Sequence, residues 1–402
     1  MTEMNHQDTN DTKRRLPNGW RWVRLGDLCE IRMGETLIAK DLTGDGLPVF
    51  SANTSSEPWG YTSRGRLKFD SDSVVVGARG SIGFPRWPKC PEWTATQTTI
   101  VITCRSRQRI FPAWLLRALE CVDFGAITSK QAIPMITVEV LEQLGIPLPP
   151  LPEQQRIAAI LNDQIAAVEH ARAAAEVRQE AAIELPAAYL HAEFNSPQAQ
   201  KWARCRLGEL AILGPDNGAF KRRHEFGRGV PIVNVSDLFR SLVVNLNEVE
   251  RVDTSEDELR RHGIAPGDLF FCRSSLKREG IGRCCYAREV SEPSIFDCHV
   301  MRVRLDAEKA YPEFVVHYWA SPTVRDEVIG NSRTATMTTM NQNDLARVEI
   351  PLPPLPEQQR IAAILNEQMS VADRARKTIE EELVAINALP VALLRRAFSG
   401  EI

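Results

Sequence analysis

Two loops rich in glycine and cationic residues carry the side chains best suited to contact nucleic acid. The first reads GARGSIG over residues 77–83, and the second reads RSSLKREGIG over residues 273–282. Glycine lets backbone N–H groups approach a phosphate, while Arg, Lys and Ser donate hydrogen bonds to phosphate oxygens or base edges. One such loop alone is usually a solvated turn. Two loops at equivalent places of a duplicated, locally basic chain favour DNA binding.

Positive charge is concentrated near these loops, although the whole chain is slightly acidic. The net charge of -3, from 49 basic and 52 acidic residues, argues against a protein that coats nucleic acid indiscriminately. Residues 73–110 nevertheless contain six basic side chains against one acidic side chain. Residues 201–240 contain eight against four, including the run Lys221-Arg222-Arg223. The positive surplus therefore lies between the repeated segments of the chain and not within them.

The chain repeats itself at a fixed offset. Residues 146–164 read IPLPPLPEQQRIAAILNDQ and residues 350–368 read IPLPPLPEQQRIAAILNEQ, identical at eighteen of nineteen positions. The halves also begin alike, with RLGDL at 24–28 and RLGEL at 206–210, but the segments between these anchors hardly resemble each other. Such a repeat predicts one scaffold that occurs twice and carries two different inserts.

The repeated segment predicts a long amphipathic helix behind a stiff, proline-rich stretch. Pro152 suits the first helical turn, and Glu153 places a carboxylate near the positive end of the helix dipole. Apolar residues then recur every three or four positions. They are Ile157, Leu161, Ile165, Val168, Ala171, Ala175, Ala182 and Leu185 in the first copy, and Ile361, Leu365, Met369, Ala372, Ala375, Ile379, Leu383, Ile386, Leu389 and Leu393 in the second. We expect the copies to pack antiparallel along this seam, with a kink or break at Pro186 and Pro390. The alternative, two unrelated surface helices, is disfavoured by the near-identity of the copies.

Short apolar runs separated by Gly, Pro, Asn and Ser predict strands within the inserts. Examples lie at residues 73–76, 99–102, 230–233, 268–271 and 300–303, and short helices are predicted at 112–121 and 312–320. Each insert is therefore expected to be an α+β domain.

No motif in the sequence predicts catalysis, a metal site or a membrane span. The nine cysteines lack CxxC spacing and fit reduced thiols, and no GxxxxGK[ST] loop is present to bind ATP. No run approaches the ~18 apolar residues of a membrane span. His170 and His191 fall on the repeated helix and His299 in a predicted strand, so we expect surface or core roles for them. These features predict a cytoplasmic protein without catalytic residues, metal or cofactor of its own.

The sequence resembles the specificity subunit of type I restriction-modification systems. The resemblance rests on the doubled IPLPPLPEQQRIAAIL block, the starts at Trp20 to Leu28 and Trp202 to Leu210, PIVNVSDL at 231–238, GDLFFCRS at 267–274 and AFSGEI at 397–402. It implies an α+β protein in which two globular α/β target recognition domains are separated by two long antiparallel helices that form a coiled coil, with a pseudo-twofold internal repeat. The expected segments are a disordered tail at 1–16, recognition domains at 17–147 and 197–351, a central repeat helix at 148–196 and a C-terminal repeat helix at 352–402.

The resemblance also implies a function, which is DNA recognition without catalysis. Each recognition domain would bind one half of a split, asymmetric target in double-stranded DNA, and the paired helices would set the number of unread base pairs. The helical repeats would bind two methyltransferase subunits that use S-adenosylmethionine. Restriction–translocase subunits that use ATP and Mg²⁺ would join for cleavage. The alternatives are a protein-interaction adaptor, which would lack salt-dependent DNA affinity, and a nucleotide-modifying or DNA-cleaving enzyme, which would turn over without partners.

We predict that polar side chains of both domains contact the major groove and the DNA backbone. In the first domain these are Arg64, Arg79, Ser81, Gln97, Lys130 and Gln131. In the second they are Lys221, Arg222, Arg223, Asn234, Ser236, Arg273, Ser274, Lys277, Arg278, Arg333 and Thr336. The sequence does not divide them into residues that read bases and residues that hold phosphates.

Overall fold

The computed structural model describes residues 16–129, 134–330, 333–334 and 338–402, with side chains described for all of these except 333 and 334. The chain forms two compact units. The first comprises Met1–Ala175 and Glu382–Ile402, and the second comprises Glu176–Glu381. Of the predicted tail at 1–16, residues 1–15 lie outside the described residues.

The first unit consists mainly of short strands with a few short helices. Its strands are β1 (Arg21–Arg24), β2 (Cys29–Met33), β3 (Leu47–Phe50), β4 (Gly60–Thr62), β5 (Ser73–Gly77), β6 (Gly83–Arg86), β7 (Thr94–Ala95), β8 (Thr99–Cys104) and β9 (Gly145–Leu148). Its helices are α1 (Leu25–Leu28), α2 (Pro112–Glu120), α3 (Phe124–Ile127) and α4 (Val138–Gln143). The long helix α5 (Leu151–Phe194) follows and contributes residues to both units.

The second unit has a similar content. Its strands are β10 (Arg204–Arg206), β11 (Ala211–Asn217), β12 (Phe226–Val233), β13 (Arg251–Val252), β14 (Leu269–Cys272), β15 (Ser274–Ser275), β16 (Cys284–Tyr286), β17 (Ile295–Phe296), β18 (Val300–Leu305), β19 (Arg333–Thr334), β20 (Thr338–Thr339) and β21 (Glu349–Pro351). Its helices are α6 (Leu207–Leu210), α7 (Glu256–His262), α8 (Pro312–Ala320), α9 (Pro322–Gly330) and α10 (Gln342–Ala346). The second long helix, α11 (Leu355–Ser399), also contributes to both units.

The internal repeat extends through the inserts, whose sequences differ. The four-stranded sheet has the order β2-β8-β5-β6 in the first unit and β11-β18-β14-β16 in the second. The three-stranded sheets β4-β3-β7 and β13-β12-β17 also correspond, each with one antiparallel and one parallel pairing. The pairs β1-β9 and β10-β21 close each insert at its ends. The second unit adds the small sheet β15-β20-β19.

The predicted apolar strands form because both faces of the four-stranded sheet are covered. Successive residues of a strand point to opposite faces, and every residue of β5 is buried. Val74 and Val76 pack in one core with Trp114 of α2. Val75 packs in another core with Trp93. A continuous run of valines is therefore what this position in the fold requires.

A buried glutamine joins the start of each long helix to its insert. The amide nitrogen of Gln154 donates hydrogen bonds to the carbonyl oxygens of Arg109 at 3.1 Å and Pro149 at 3.0 Å. Gln358 donates in the same way to Lys309 at 3.0 Å and Pro353 at 2.9 Å. The first glutamine of the repeated PEQQR motif therefore has a structural role, whereas the second glutamine is exposed in both copies.

A second polar junction repeats with different chemistry. In the first unit, Arg117 of α2 donates to the Oδ1 atom of Asn162 at 2.7 Å. In the second unit, the equivalent contact joins Nε2 of His317, on α8, to Oδ1 of Asn366 at 2.8 Å. Asn366 also donates to Glu313 at 2.6 Å. A permanent cation thus supports one junction and a titratable imidazole the other.

Within each unit, segments of the two long helices pack antiparallel. In the first unit, Ile157 and Leu161 share a core with Leu394, while Val168 and Ala175 cluster with Ile386 further back along α11. In the second unit, the end of α5 and the start of α11 enter one core together.

The predicted seam is largely confirmed. Ala171 and Leu389 are exceptions, because both are exposed. Both helices continue through Pro186 and Pro390, so a break at these prolines was wrong, whereas a kink there stays a prediction.

None of the helices that the structure describes combines the length and apolar character needed to cross a lipid bilayer.

Candidate nucleic-acid interface

In the first unit, the predicted loop 77–83 lies against the turn between β7 and β8. The carbonyl oxygen of Thr98 accepts hydrogen bonds from the backbone N–H groups of Ala78 at 2.8 Å and Arg79 at 3.1 Å. A Cβ atom on Gly77 would lie 2.0 Å from the carbonyl oxygen of Ser81, so the loop can close only on glycine at this position. The loop and the turn therefore lie together at one end of the strands of the four-stranded sheet. Residues 77–83 and 96–98 form a polar surface there, the polar edge of this unit.

Three of the predicted side chains of the first unit belong to this edge. Arg79 is exposed and its guanidinium contacts the sulfur of Met135 at 3.8 Å. Gln97 is exposed in the turn, and its Oε1 atom accepts a hydrogen bond from the hydroxyl of Thr36 at 3.0 Å. Ser81 is half-buried in the loop. The hydrogen bond from Thr36 orients the Gln97 amide so that its NH₂ group is available to a ligand.

The remaining predicted residues of the first unit are placed differently. Arg64 lies beyond β4, exposed and paired with Asp41 at 3.3 Å, and the structure gives no contact between it and the loop 77–83 among the described residues. Lys130 and Gln131 lie outside the described residues.

Arg86 was not selected from the sequence, yet it supports the same edge. Its guanidinium donates to Asn53 at 2.7 Å and to the carbonyl oxygens of Ser55 at 2.9 Å and Ser51 at 2.5 Å. The N–H of Ala52 in that segment reaches the Thr98 hydroxyl at 3.4 Å. Burial lowers the pKa of Arg86. This arginine holds the neighbouring loop in place and is not free for a ligand.

The second unit repeats this edge with other side chains. The loop 273–282 lies against the turn Asp297-Cys298-His299, between β17 and β18. The N–H of Arg273 donates to the carbonyl oxygen of His299 at 2.9 Å, and its guanidinium donates to that of Cys298 at 3.2 Å. Ser274 is half-buried in β15, where it pairs with Thr339. Arg273 therefore corresponds to Ala78 of the first unit.

The outer part of this loop is strongly exposed. Lys277 and Arg278 are both exposed, and Arg278 reaches the carbonyl oxygen of Ile329 at 3.4 Å. Leu276, which directly precedes Lys277, is 86% exposed. The loop thus presents cationic and apolar groups side by side.

The run Lys221-Arg222-Arg223 divides into one buried and two exposed cations. The Lys221 side chain is only 2% exposed and contacts Glu258 at 2.8 Å and Glu225 at 3.4 Å. Burial opposes the charge on Glu258, but hydrogen bonds from Lys221 and Ser255 outweigh it and lower the pKa of Glu258 to about 2. Lys221 consequently holds the protein together here, while Arg222 and Arg223 face solvent.

Asn234 and Ser236 follow β12 next to the turn. The carbonyl oxygen of Val233, just before Asn234, accepts from the N–H of Asp297 at 3.0 Å. The Asn234 amide donates to Glu250 at 3.0 Å, and Ser236 is exposed. The predicted Arg333 side chain and Thr336 lie outside the described residues.

Sequence reasoning missed the turn that leads from the three-stranded to the four-stranded sheet in each unit, between β7 and β8 and between β17 and β18. His299 was expected in a strand, but it is exposed in the turn before β18. Thr36 and Phe220 were also missed, because isolated Thr and Phe residues in a loop carry no pattern.

The turn of the second unit also contains a group that could hold a metal ion. The ligand atoms of Asp297, Cys298 and His299 lie within 4.8 Å of one another. Three consecutive residues supply few ligands, and the guanidinium of Arg273 lies alongside. The charge of this arginine disfavours a cation and favours an anionic ligand.

Comparison with known proteins connects this geometry to a family. A model of the type I restriction modification DNA specificity domain matches residues 17–178 and 200–384. The specificity subunit of the EcoKI type I restriction enzyme of Escherichia coli strain K12 is 28% identical in a match that covers 64% of this chain and 58% of that protein. The StySPI specificity subunit of Salmonella potsdam is 26% identical, with 96% and 90% covered. A chain in a solved type I R-M system has the same fold, with a TM-score of 0.73, 22% identity and coverage of 97% and 100%.

Proposed function

The chain belongs to the family of type I restriction-modification specificity subunits, whose role is recognition and not catalysis, and we propose that it reads a bipartite, asymmetric target in duplex DNA. Each recognition domain, at 17–147 and 197–351, binds one half-site. The repeats of the long helices dock two methyltransferase subunits.

The observation that carries this proposal is the repetition of one polar edge with two sets of side chains. In both units, a glycine-bearing loop packs against a turn at the same end of the corresponding four-stranded sheet. The turn reads Thr96-Gln97-Thr98 in the first unit and Asp297-Cys298-His299 in the second. Equal backbones with unequal side chains suit the reading of two unlike half-sites.

Exposed cations around each edge supply the contacts to phosphate. Arg79 provides one in the first unit, and Arg222, Arg223, Lys277 and Arg278 provide them in the second. Contacts of this kind position a protein on DNA and make its affinity depend on salt. Lys221 contributes indirectly, since its ion pairs fix the segment that carries the two exposed arginines.

The exposed face of each repeated helix supports the docking of identical partners. In the first copy, Pro152, Arg156, Ala159 and Asp163 are exposed and spaced along one helical face. The second copy exposes Pro356, Arg360, Ala363 and Glu367 at the same places. A surface that occurs twice fits a partner bound twice.

The other components of the system supply the chemistry. The methyltransferase subunits use S-adenosylmethionine, and up to two restriction–translocase subunits use ATP and Mg²⁺.

Methylome sequencing of a host with and without this gene tests the proposal directly. A split, adenine-methylated motif is expected to vanish with the gene. Binding of a duplex that contains this motif is then compared with binding of a scrambled duplex at two salt concentrations. The Arg278→Ala variant is expected to bind both duplexes more weakly. The slope of log binding constant against log salt concentration is expected to fall by about one. Arg374→Ala, which removes an exposed cation of α11, is the matched control. Equal, salt-independent binding of both duplexes would favour a protein-interaction adaptor instead.

Docking is tested separately. Ala159→Arg and Ala363→Arg place bulky charges on the repeated face, and each is expected to remove one methyltransferase subunit from the purified complex. Ala173→Arg, exposed on α5 outside the repeated block, is the control. Measurement of the complex mass distinguishes these outcomes, and retention of both subunits in the double variant would reject the docking surface.

A further inference from the structure

Phe220 is an aromatic side chain held in the open at the polar edge of the second unit. It is 72% exposed and follows β11. The preceding residue, Ala219, donates from its N–H to the carbonyl oxygen of Phe296 at 2.8 Å and accepts from the N–H of Cys298 at 3.0 Å. These two bonds place Phe220 beside the turn 297–299.

The backbone before Phe220 is fixed by close contact. A Cβ atom on Gly218 would lie 2.0 Å from the carbonyl oxygen of Phe296, so only glycine permits this approach. Gly34 occupies the same position in the first unit, where a Cβ atom would lie 2.2 Å from the carbonyl oxygen of Thr96. The exposed ring therefore belongs to a residue whose preceding backbone is closely packed.

Exposed arginines follow Phe220 in the chain, and another arginine lies across the turn, which itself contains the carboxylate of Asp297. Arg222 and Arg223 are exposed two and three residues later, and Arg273 lies on the other side of the turn, bonded to the carbonyl oxygen of Cys298. An apolar group among arginines suits a ligand with an anionic surface and apolar groups inside a groove. The major groove of DNA has this character, because phosphates flank it and the C5-methyl group of thymine projects into it.

The first unit has a polar side chain at the equivalent position. Thr36 stands two residues after Gly34, as Phe220 stands two residues after Gly218, and its hydroxyl donates to Gln97. The same backbone position thus carries a hydrogen-bonding pair in one unit and an aromatic ring in the other. This contrast is expected where the two half-sites differ in their bases.

We propose that Phe220 is a specificity-determining residue that contacts the C5-methyl group of a thymine in the second half-site. The inference rests on the proposed function, since it requires that the second unit reads duplex DNA through the edge described above. Apolar contact with the thymine methyl is an established mode of base discrimination.

Substitution of thymine by uracil tests the contact, because uracil lacks only the methyl group. The chain is assembled with its methyltransferase subunits, and duplexes of the methylated motif carry uracil at one thymine of the second half-site at a time. For the wild type, one such substitution is expected to weaken binding about three- to tenfold. Phe220→Ala should weaken binding of the thymine duplex by a similar factor and should no longer distinguish thymine from uracil. Phe220→Leu, which keeps an apolar group, should retain part of the discrimination.

Ile212→Ala is the matched control. Ile212 is 66% exposed and lies near the opposite end of β11 from the turn, so its loss should leave the thymine-to-uracil ratio unchanged. A second half-site without thymine, or a Phe220→Ala variant that keeps the wild-type ratio, would overturn the proposal. In each of these cases the wild type still binds its target, whereas failure of the proposed function would abolish specific binding altogether.

Discussion

The Oε1 atom of Gln154 accepts a hydrogen bond from the backbone N–H of Phe111 at 2.9 Å, and both partners lie at the junction between the first insert and α5. The same bond joins Gln358 to Tyr311 at 2.8 Å. With its two donated bonds, each buried amide has three partners from the segment before a short helix and from the proline-rich stretch. The amide is therefore the hydrogen-bonding centre of the junction.

Gln154→Leu and Gln358→Leu should destabilise the unit in which each residue lies. Each substitution leaves one backbone N–H and two carbonyl groups without their partner, at a cost of about 1–3 kcal/mol per unsatisfied buried group. Urea unfolding of the purified variants measures the loss. Gln155→Leu and Gln359→Leu are matched controls, because these neighbours are exposed. Equal unfolding midpoints for Gln154→Leu and Gln155→Leu would refute the structural role.

Lys221→Ala should lower stability more than it lowers DNA affinity. The buried ammonium group pairs with Glu225 and Glu258, and its removal leaves two carboxylates uncompensated. We expect a loss of about 1–3 kcal/mol in the free energy of unfolding. This is below the ~3–5 kcal/mol of a fully buried pair, because both carboxylates remain 28% exposed. Arg222→Ala should show the opposite pattern, with unchanged stability and weaker DNA binding at low salt. A Lys221→Ala variant that is stable but binds poorly would place Lys221 in the interface.

Glu258 predicts a contribution to acid sensitivity. Its folded-state pKa is about 2, below the ordinary value of 4.5, so its charge stabilises the fold above pH 4.5. That contribution should be lost as the pH falls from 4.5 towards 2. Glu258→Gln should be less stable at neutral pH and should show a shallower decline over this interval. An unchanged slope in calorimetric unfolding would show that the carboxylate does not couple to folding.

His317 predicts a second, separate pH dependence. Burial lowers its pKa below 6.5, although the bond to Asn366 and the charge of Glu313 act in the other direction. Its Nδ1 atom is buried without a partner among the described residues, so protonation would bury an unpaired N–H. The unfolded chain therefore binds the proton more readily, and stability should fall as the pH drops below 6.5. His317→Gln should flatten this decline, as followed by denaturant unfolding across that range. A parallel decline in the variant would assign the effect to other groups.

The sequence predicts the scaffold well because its signals are local and repeated. The helix at Pro312–Ala320 has the predicted bounds, and the apolar runs at 73–76 and 300–303 lie within β5 and β18. The exact topology of the inserts was not predicted. Parallel pairing of β3 with β7 joins residues far apart in sequence, and such pairing leaves no periodic pattern.

The candidate site was predicted only in part, for a related reason. The polar edges contain several predicted residues, namely Arg79, Gln97, Arg273 and the outer loop residues. The cationic ones could be predicted because glycine and charge mark loops in any sequence. Lys221 shows the limit of this signal. A lysine in a basic run is predicted to be exposed. Only the position of Glu258 in the fold shows that Lys221 is buried.

The closing part of α11 belongs to the core of the first unit, where Phe398 stacks on Trp114 with ring centroids 4.7 Å apart. This unit therefore cannot finish folding on the ribosome when its own insert emerges. It must wait, with Trp114 and its neighbours unprotected, until the second unit has been translated. A premature stop codon in α11 should consequently damage the domain encoded first, and chaperone dependence during synthesis should be greater for the first unit than for the second.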